Sequence, residues 1–252
     1  VGDIRNAAGA TLTTTNKLNA VGAIVNAGTM NAAGEVSAAE IRNSGLFTVT
    51  AALTGVGTGP HAGATPNFNN IAGGSLLVNA NVDGVVNLTN TSALANAVRV
   101  AAGATLTATG TVANNAGTFT NLGTTAAANI NNAATLNSTG TLNATAALNN
   151  SGTFNVSGAI NTPSLINSGV MNVAGAQTGA VGATNNTGQI NLAVAGASAQ
   201  LGALTNAAGA ALNVTGANAT VATVTLANLG AINMLGGGTT NAINAAGAYT
   251  GG

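Results

Sequence analysis

The chain has no cysteine and no tryptophan, one histidine, one tyrosine and three prolines, and its 252 residues include only four basic and four acidic side chains. Without cysteine there is no disulfide and no thiolate to serve as nucleophile or metal ligand. His61 has no second His, Cys or carboxylate close to it in sequence, which leaves a metal site short of ligands. All the charged residues (Asp3, Arg5, Lys17, Glu35, Glu40, Arg42, Asp83, Arg99) fall in the first hundred positions. Residues 101–252 therefore offer no acid or base for catalysis, and no basic stripe exists for nucleic acid or anionic lipid. No apolar run approaches the ~20 residues that a membrane-spanning helix needs. The glycine run Gly236-Gly237-Gly238 leads into Thr239-Thr240 without the lysine of a phosphate loop. Composition thus predicts a protein that is not an enzyme, with no catalytic, metal or cofactor site, no nucleic-acid partner and no membrane insertion. Glu35 and Glu40, five apart with Arg42 nearby, read as local ion pairing on an exposed edge.

What the chain has instead is a repeat. The motif Asn-x-Gly-x-apolar-Asn/Thr recurs about every 18 residues, as in Asn150-Ser151-Gly152-Thr153-Phe154-Asn155 and Asn167-Ser168-Gly169-Val170-Met171-Asn172. Short copies begin at Asn26, Asn43, Val82, Asn115, Asn132, Asn150, Asn167, Asn186 and Asn228, with Val for Asn once and Ala134 for Gly once. Five copies carry one more turn residue and begin at Asn6, Asn70, Val100, Asn206 and Asn244. The fifth residue of every short copy is apolar, the sixth is Asn or Thr and the seventh is again mostly apolar. Alternation with period two predicts strands with one face in a core and the other in water. Asn and Gly before each strand predict a sharp corner that uses positive φ. Low complexity also suits disorder, but the 46% of hydrophobic residues sit in register.

These features predict an all-β fold, a parallel β-helix (β-solenoid) of about 14 coils of roughly 18 residues, with coils stacked roughly 4.7–4.9 Å apart. Abundant Ala and only four Phe predict a narrow interior. The repeat covers residues 1–252 as one domain. It is interrupted by a loop at 54–68, rich in Gly and Pro, and ends in a Gly-rich segment at 235–252. Within the loop, His61 and Phe68 are candidate contacts with a receptor or a neighbouring subunit, set against a harmless insertion. Val1-Gly2-Asp3 does not look like a signal peptide, and a chain without an initiator Met reads as a processed or excised piece.

The unit Asn150 to Val156, with its Asn-Ala-Gly-Thr and Asn-Thr-Gly-Gln variants, resembles the repeat regions of bacterial autotransporter and filamentous-haemagglutinin-type passengers. The resemblance implies a right-handed parallel β-helix exported to the bacterial surface or secreted, serving as adhesin, biofilm matrix component or stalk. No translocator barrel and no passenger-specific catalytic motif is visible.

Two self-contacts are expected. Asn6-Ala7-Ala8-Gly9-Ala10 and Asn244-Ala245-Ala246-Gly247-Ala248 are nearly interchangeable, and neither end carries a Pro-rich or strongly charged cap. The terminal coils, with Asn6, Leu12, Asn244 and Tyr249, are therefore candidates for end-to-end stacking into a homopolymer. The outward row that includes Asn137, Asn155, Asn172 and Asn191 is a candidate lateral ladder, the alternative being simple solvation. An uncharged surface has no long-range repulsion to keep copies apart. The function expected from sequence is a self-assembling extracellular fibre or surface matrix protein. The alternatives are a stalk or adhesin that binds a host-cell or matrix receptor through loop 54–68 and, distantly, an ice-binding solenoid, for which the Thr array is irregular.

Overall fold

The structure, a computed structural model, describes residues 1–51, 67–234 and 240–251. Every regular element among these residues is a β-strand, and the strands pair in parallel. The chain is an all-β parallel solenoid of about 12 turns at ~19-residue spacing, slightly fewer coils than the repeat count suggests. It divides into two compact units, Val1–Ala134 and Thr135–Gly252.

In the first unit one sheet takes the strands Ile4–Asn6, Ala23–Asn26, Glu40–Asn43, Asn67–Asn70, Asn87–Asn90 and Thr111–Asn114, and the end of Thr124–Asn132. Each of these strands ends in Asn. After a corner, the coil enters a second sheet made of Thr11–Thr14, Thr29–Ala32, Leu46–Val49, Ser75–Val78, Val98–Val100 and Thr118–Asn121. The second unit repeats the plan. Its first sheet holds Thr141–Asn150, Ala159–Asn167, Val181–Asn186, Ala203–Asn206, Thr225–Asn228 and Tyr249–Gly251. Its second sheet holds Thr135–Ser138, Thr153–Val156, Val170–Val173, Gln189–Leu192, Ala211–Val214 and Ala231–Met234. A discontinuous third face is built from short strands such as Ser198–Gln200, Thr220–Thr223 and Ala242–Ala245.

Four-residue strands with alternating burial are what the period-two pattern dictates, and the in-register pairing stacks like on like. On the second sheet the inward column of the first unit runs Leu12, Met30, Phe47, Leu76, Val98, Phe119. In the second unit it runs Leu136, Phe154, Met171, Ile190, Leu212, Ile232. Phe47 also meets Phe68 edge-on, with ring centroids 5.2 Å apart and planes at 83°. Phe68 lies in the strand Asn67–Asn70 and is 2% exposed. It is therefore a core residue and not the loop contact expected from sequence, because the turn-forming stretch gives way to strand pairing before it. His61, with the rest of 52–66, lies outside the described residues. Of the Gly-rich segment, residues 240–251 are not a bare tail, since Ala242–Ala245 and Tyr249–Gly251 pair with the strands of the coil before.

The corners work differently from the sequence expectation. Among the described non-glycine residues only Asn218 has a positive φ, so the motif Asn is not there to take up a left-handed backbone. Gly28, Gly45, Gly169 and Gly188, from the short motif, do not have one either, whereas Gly84 and Gly117 of the same motif do, with φ of 86° and 59°. A Cβ on any of the first four would instead collide with backbone carbonyl oxygens of the preceding coil, as Gly169 would with Gly152 and Gly188 with Gly169. Close approach of stacked backbones is what demands glycine here. The longer Asn-x-x-Gly corner does use left-handed glycine. Gly9, Gly73, Gly103 and Gly209 have φ of 78°, 84°, 80° and 82°. Each sits at the third position of a turn closed by a bond such as Ala10 N to Ala7 O at 3.0 Å, as a type II turn requires.

Candidate functional site

The strand-ending asparagines of the first sheet point inward and form a column of carboxamides. In the first unit the column is Asn6, Asn26, Asn43, Asn70, Asn90, Asn114 and Asn132; in the second it is Asn150, Asn167, Asn186, Asn206 and Asn228. None is more than 9% exposed. Asn26 is representative. Its Nδ2 donates to Oδ1 of Asn43 at 2.7 Å, to its own corner at Gly28 O (3.2 Å) and to the start of the next coil at Leu46 O (2.9 Å). Asn167 does the same toward Asn186 (2.8 Å), Gly169 O (3.3 Å) and Gln189 O (2.9 Å). Two flanking carbonyls fix which amide atom is nitrogen, and among the described residues the bonds between column asparagines within each unit donate toward the next coil. Burial of an unsatisfied amide would cost about 1–3 kcal/mol, and the column removes that cost by making each coil complete the one before it.

Ten of the fourteen motif starts coincide with this column. Asn115 lies one residue past the column residue Asn114, and Val82, Val100 and Asn244 occupy other positions in the coil. Asn90 belongs to the column but its corner, Thr91–Ala97, contains no glycine, so the motif does not reveal it.

A second column lies on the outside of the second sheet of the second unit. Asn155 donates to Asn137 (2.7 Å), Asn172 to Asn155 (2.8 Å), Asn191 to Asn172 (2.9 Å), Asn213 to Asn191 (2.7 Å) and Asn233 to Asn213 (2.7 Å). The four candidate residues of the lateral ladder are thus joined in one hydrogen-bonded row, half-buried and facing outward. These bonds donate toward the preceding coil, opposite to the inner column. Thr135, Thr153, Val170 and Gln189 occupy the neighbouring outward positions.

The four residues expected at the terminal coils are not equivalent to one another. Asn6 and Leu12 belong to the first strands of the two sheets of the first unit. Asn244 is not the counterpart of Asn6. It pairs with Ala222 on the third face and lines a shallow hollow of about 460 Å3 with Gly179, Val181, Gln200 and Thr223. The matching sequence Asn244–Ala248 reaches the first sheet only at Tyr249. There the register sets Tyr249 against Leu226 and Gly251 against Asn228, so glycine stands at the column position. A Cβ placed on Gly251 would lie 2.5 Å from the Tyr249 hydroxyl oxygen. Tyr249 is nevertheless 61% exposed.

Six of the eight charged residues form separate ion pairs, Lys17 with Glu35 at 2.9 Å, Arg42 with Glu40 at 2.8 Å and Arg5 with Asp3 at 3.7 Å. Glu35 and Glu40 thus have different partners, and Glu40 also accepts from Asn69 Nδ2 at 2.6 Å. Such exposed pairs contribute about 0–1 kcal/mol each. Among the described residues no three His, Cys, Asp or Glu side chains are grouped as metal ligands would be, and no helix is long and apolar enough to cross a membrane. Comparison with protein-family models, with curated proteins and with solved structures finds no match.

Proposed function

We propose that this chain is a non-enzymatic structural protein of the bacterial surface or extracellular matrix that works by stacking coil on coil, copies of itself joining end to end into fibres. The observation that carries this proposal is the state of the outermost coils. Among the described residues, strand Tyr249–Gly251 of the second unit pairs on one side only, and the core-column residues Tyr249 and Met234 are 61% and 44% exposed. In the first unit, strands Ile4–Asn6 and Thr11–Thr14 likewise pair on one side only. Open ladder edges and uncovered core positions are what a further coil would cover. The same edges are equally suited to further coils of a longer polypeptide, which is the stalk or adhesin alternative.

Electron microscopy of the 252-residue chain at neutral pH across a concentration series separates the two. Long filaments that appear above a threshold concentration support self-assembly. Short dispersed particles at every concentration reject it and leave the stalk.

A further inference from the structure

The first column position of the first unit and the last of the second are each short of one partner among the described residues. Asn6 Nδ2 donates to Ala10 O, Asn26 Oδ1 and Thr29 O, but no described residue donates to Asn6 Oδ1, where each later column residue of the first unit, from Asn26 to Asn132, accepts from the carboxamide of the coil before it. Asn6 is 7% exposed as a residue, and its Oδ1 lies on the open edge of the first coil. At the far end of the second unit, Asn228 Nδ2 reaches Gly230 O at 3.1 Å, but the next column position is Gly251, which has no carboxamide to continue the row.

What occupies that position is Tyr249. Its phenol reaches over Gly251, the hydroxyl oxygen lying 2.5 Å and Cζ 2.8 Å from where the Cβ would be. In an asparagine the amide nitrogen is about as far from its own Cβ, as standard bond lengths dictate. The hydroxyl therefore lies at about the same distance from that Cβ position as the missing amide nitrogen would. It is a donor, and it belongs to the only tyrosine in the chain.

We infer that the Tyr249 hydroxyl of one copy donates to Asn6 Oδ1 of the next, replacing the absent carboxamide and carrying the hydrogen-bonded column across the joint between copies. The partner is a second copy, chosen because its first coil supplies what the last coil lacks. It offers an unmatched inward acceptor at the column position, and its Ile4–Asn6 strand matches Tyr249–Gly251 in length and direction, three residues each, Ile4 over Tyr249 and Asn6 over Gly251. Gly251 makes room for the phenol, which a side chain at that position would displace. The inference rests on the end-to-end reading above and identifies its contact.

Tyrosine is the only strong fluorophore of a chain without tryptophan, so its emission reports this joint alone. The test follows tyrosine emission and sedimentable fibre together as the concentration of the whole chain is raised, for the natural protein, Tyr249→Phe and Gly251→Asn. The expected result is that emission and its quenching by acrylamide change at the concentration where fibres form. Tyr249→Phe, which removes one hydroxyl from an exposed ring, should raise the threshold about fivefold, the equivalent of about 1 kcal/mol for one net hydrogen bond. Gly251→Asn, whose own carboxamide takes the place of the phenol at the column position, should form fibres at no higher a threshold than the natural protein. Fibres that form at an unchanged threshold in Tyr249→Phe, together with natural-protein emission that does not change on assembly, overturn this contact and leave end-to-end assembly standing. A natural chain that forms no fibre at any concentration overturns both.

Discussion

Asn26 Nδ2 and Asn43 Oδ1 are 2.7 Å apart with both residues fully buried, and each coil of the two units has its own version of that bond or abuts one that does. The bond explains why a residue that normally belongs on surfaces fills an interior column. A single asparagine there would be an unsatisfied amide, whereas a stack of them satisfies itself.

Asn167→Leu should therefore be costly although leucine is the more apolar side chain. It removes three donor contacts, leaves Asn186 Oδ1 without the donor it has at 2.8 Å, and takes from Asn150 Nδ2 one of three acceptors, the others being Gly152 O and Val170 O. We expect a loss of about 2–4 kcal/mol, one or two buried unsatisfied groups, measured by urea unfolding. Asn172→Ala breaks two bonds of the outer row, but water replaces them, and the loss should stay below about 1 kcal/mol. Equal effects at the two sites would contradict the assignment of inner and outer columns.

Asn167→Asp should make stability depend on pH. The new carboxyl would be buried among the acceptors Gly169 O, Gln189 O and Asn186 Oδ1. Burial and these carbonyls favour its protonated form, so its pKa in the fold lies above the ~3.9 of an unfolded Asp. With the folded value raised, the variant keeps its full stability below about pH 3.9 and loses it as pH rises toward the folded pKa, at about 1.4 kcal/mol per pH unit. Thermal unfolding between pH 3 and 7 checks this; a variant that gains stability with rising pH contradicts it.

Two glycine substitutions separate the two corner types. Gly169→Ala would drive a methyl group into the carbonyl of Gly152 and should cost more than about 3 kcal/mol or move the coils apart. Gly209→Ala has open space around it but a φ of 82°, and should cost about 1–2 kcal/mol through backbone strain alone. Denaturation midpoints of the two variants rank them.

Phe68→Ala should destabilise by about 3–5 kcal/mol, as expected when a large side chain leaves a packed core. A double-mutant cycle with Phe47→Ala should show coupling of about 0.5–1.5 kcal/mol from the edge-on pair. An exposed loop residue would show neither, so circular dichroism melts of three variants are sufficient.

The coil was legible in the sequence because its cause is local. Met30, Phe47, Phe154 and Met171 alternate with Asn and Thr at period two, and the corner before each carries Asn and Gly. The role of those corner residues was not legible. Asn26 and Gly28 look like turn residues in any single repeat, and only stacking shows that the Asn reaches the next Asn and the Gly lies under a carbonyl of the coil before. Asn90 was hidden because Thr91–Ala97 makes its corner without glycine. Asn244 misled because the letters of the first repeat return on a different face, and face depends on how many residues the chain has spent since the last column position. Phe68 was assigned to the loop because it follows Pro66 closely and has Asn on both sides, a strand pattern with one apolar residue to announce it.

The opposed directions of the two amide rows have a further consequence. A carboxamide carries a dipole of roughly 3.5 D, like a peptide unit. In the second unit the inner row points its N–H bonds along the stack from Asn150 to Asn228, and the outer row points them back from Asn233 to Asn137. Neither row builds up a field that the other does not oppose, and residues 101–252 carry no charge to add to it. The second unit can lengthen its amide rows coil by coil without polarising itself. Two such surfaces therefore approach one another under contact forces alone, and their association should be insensitive to salt.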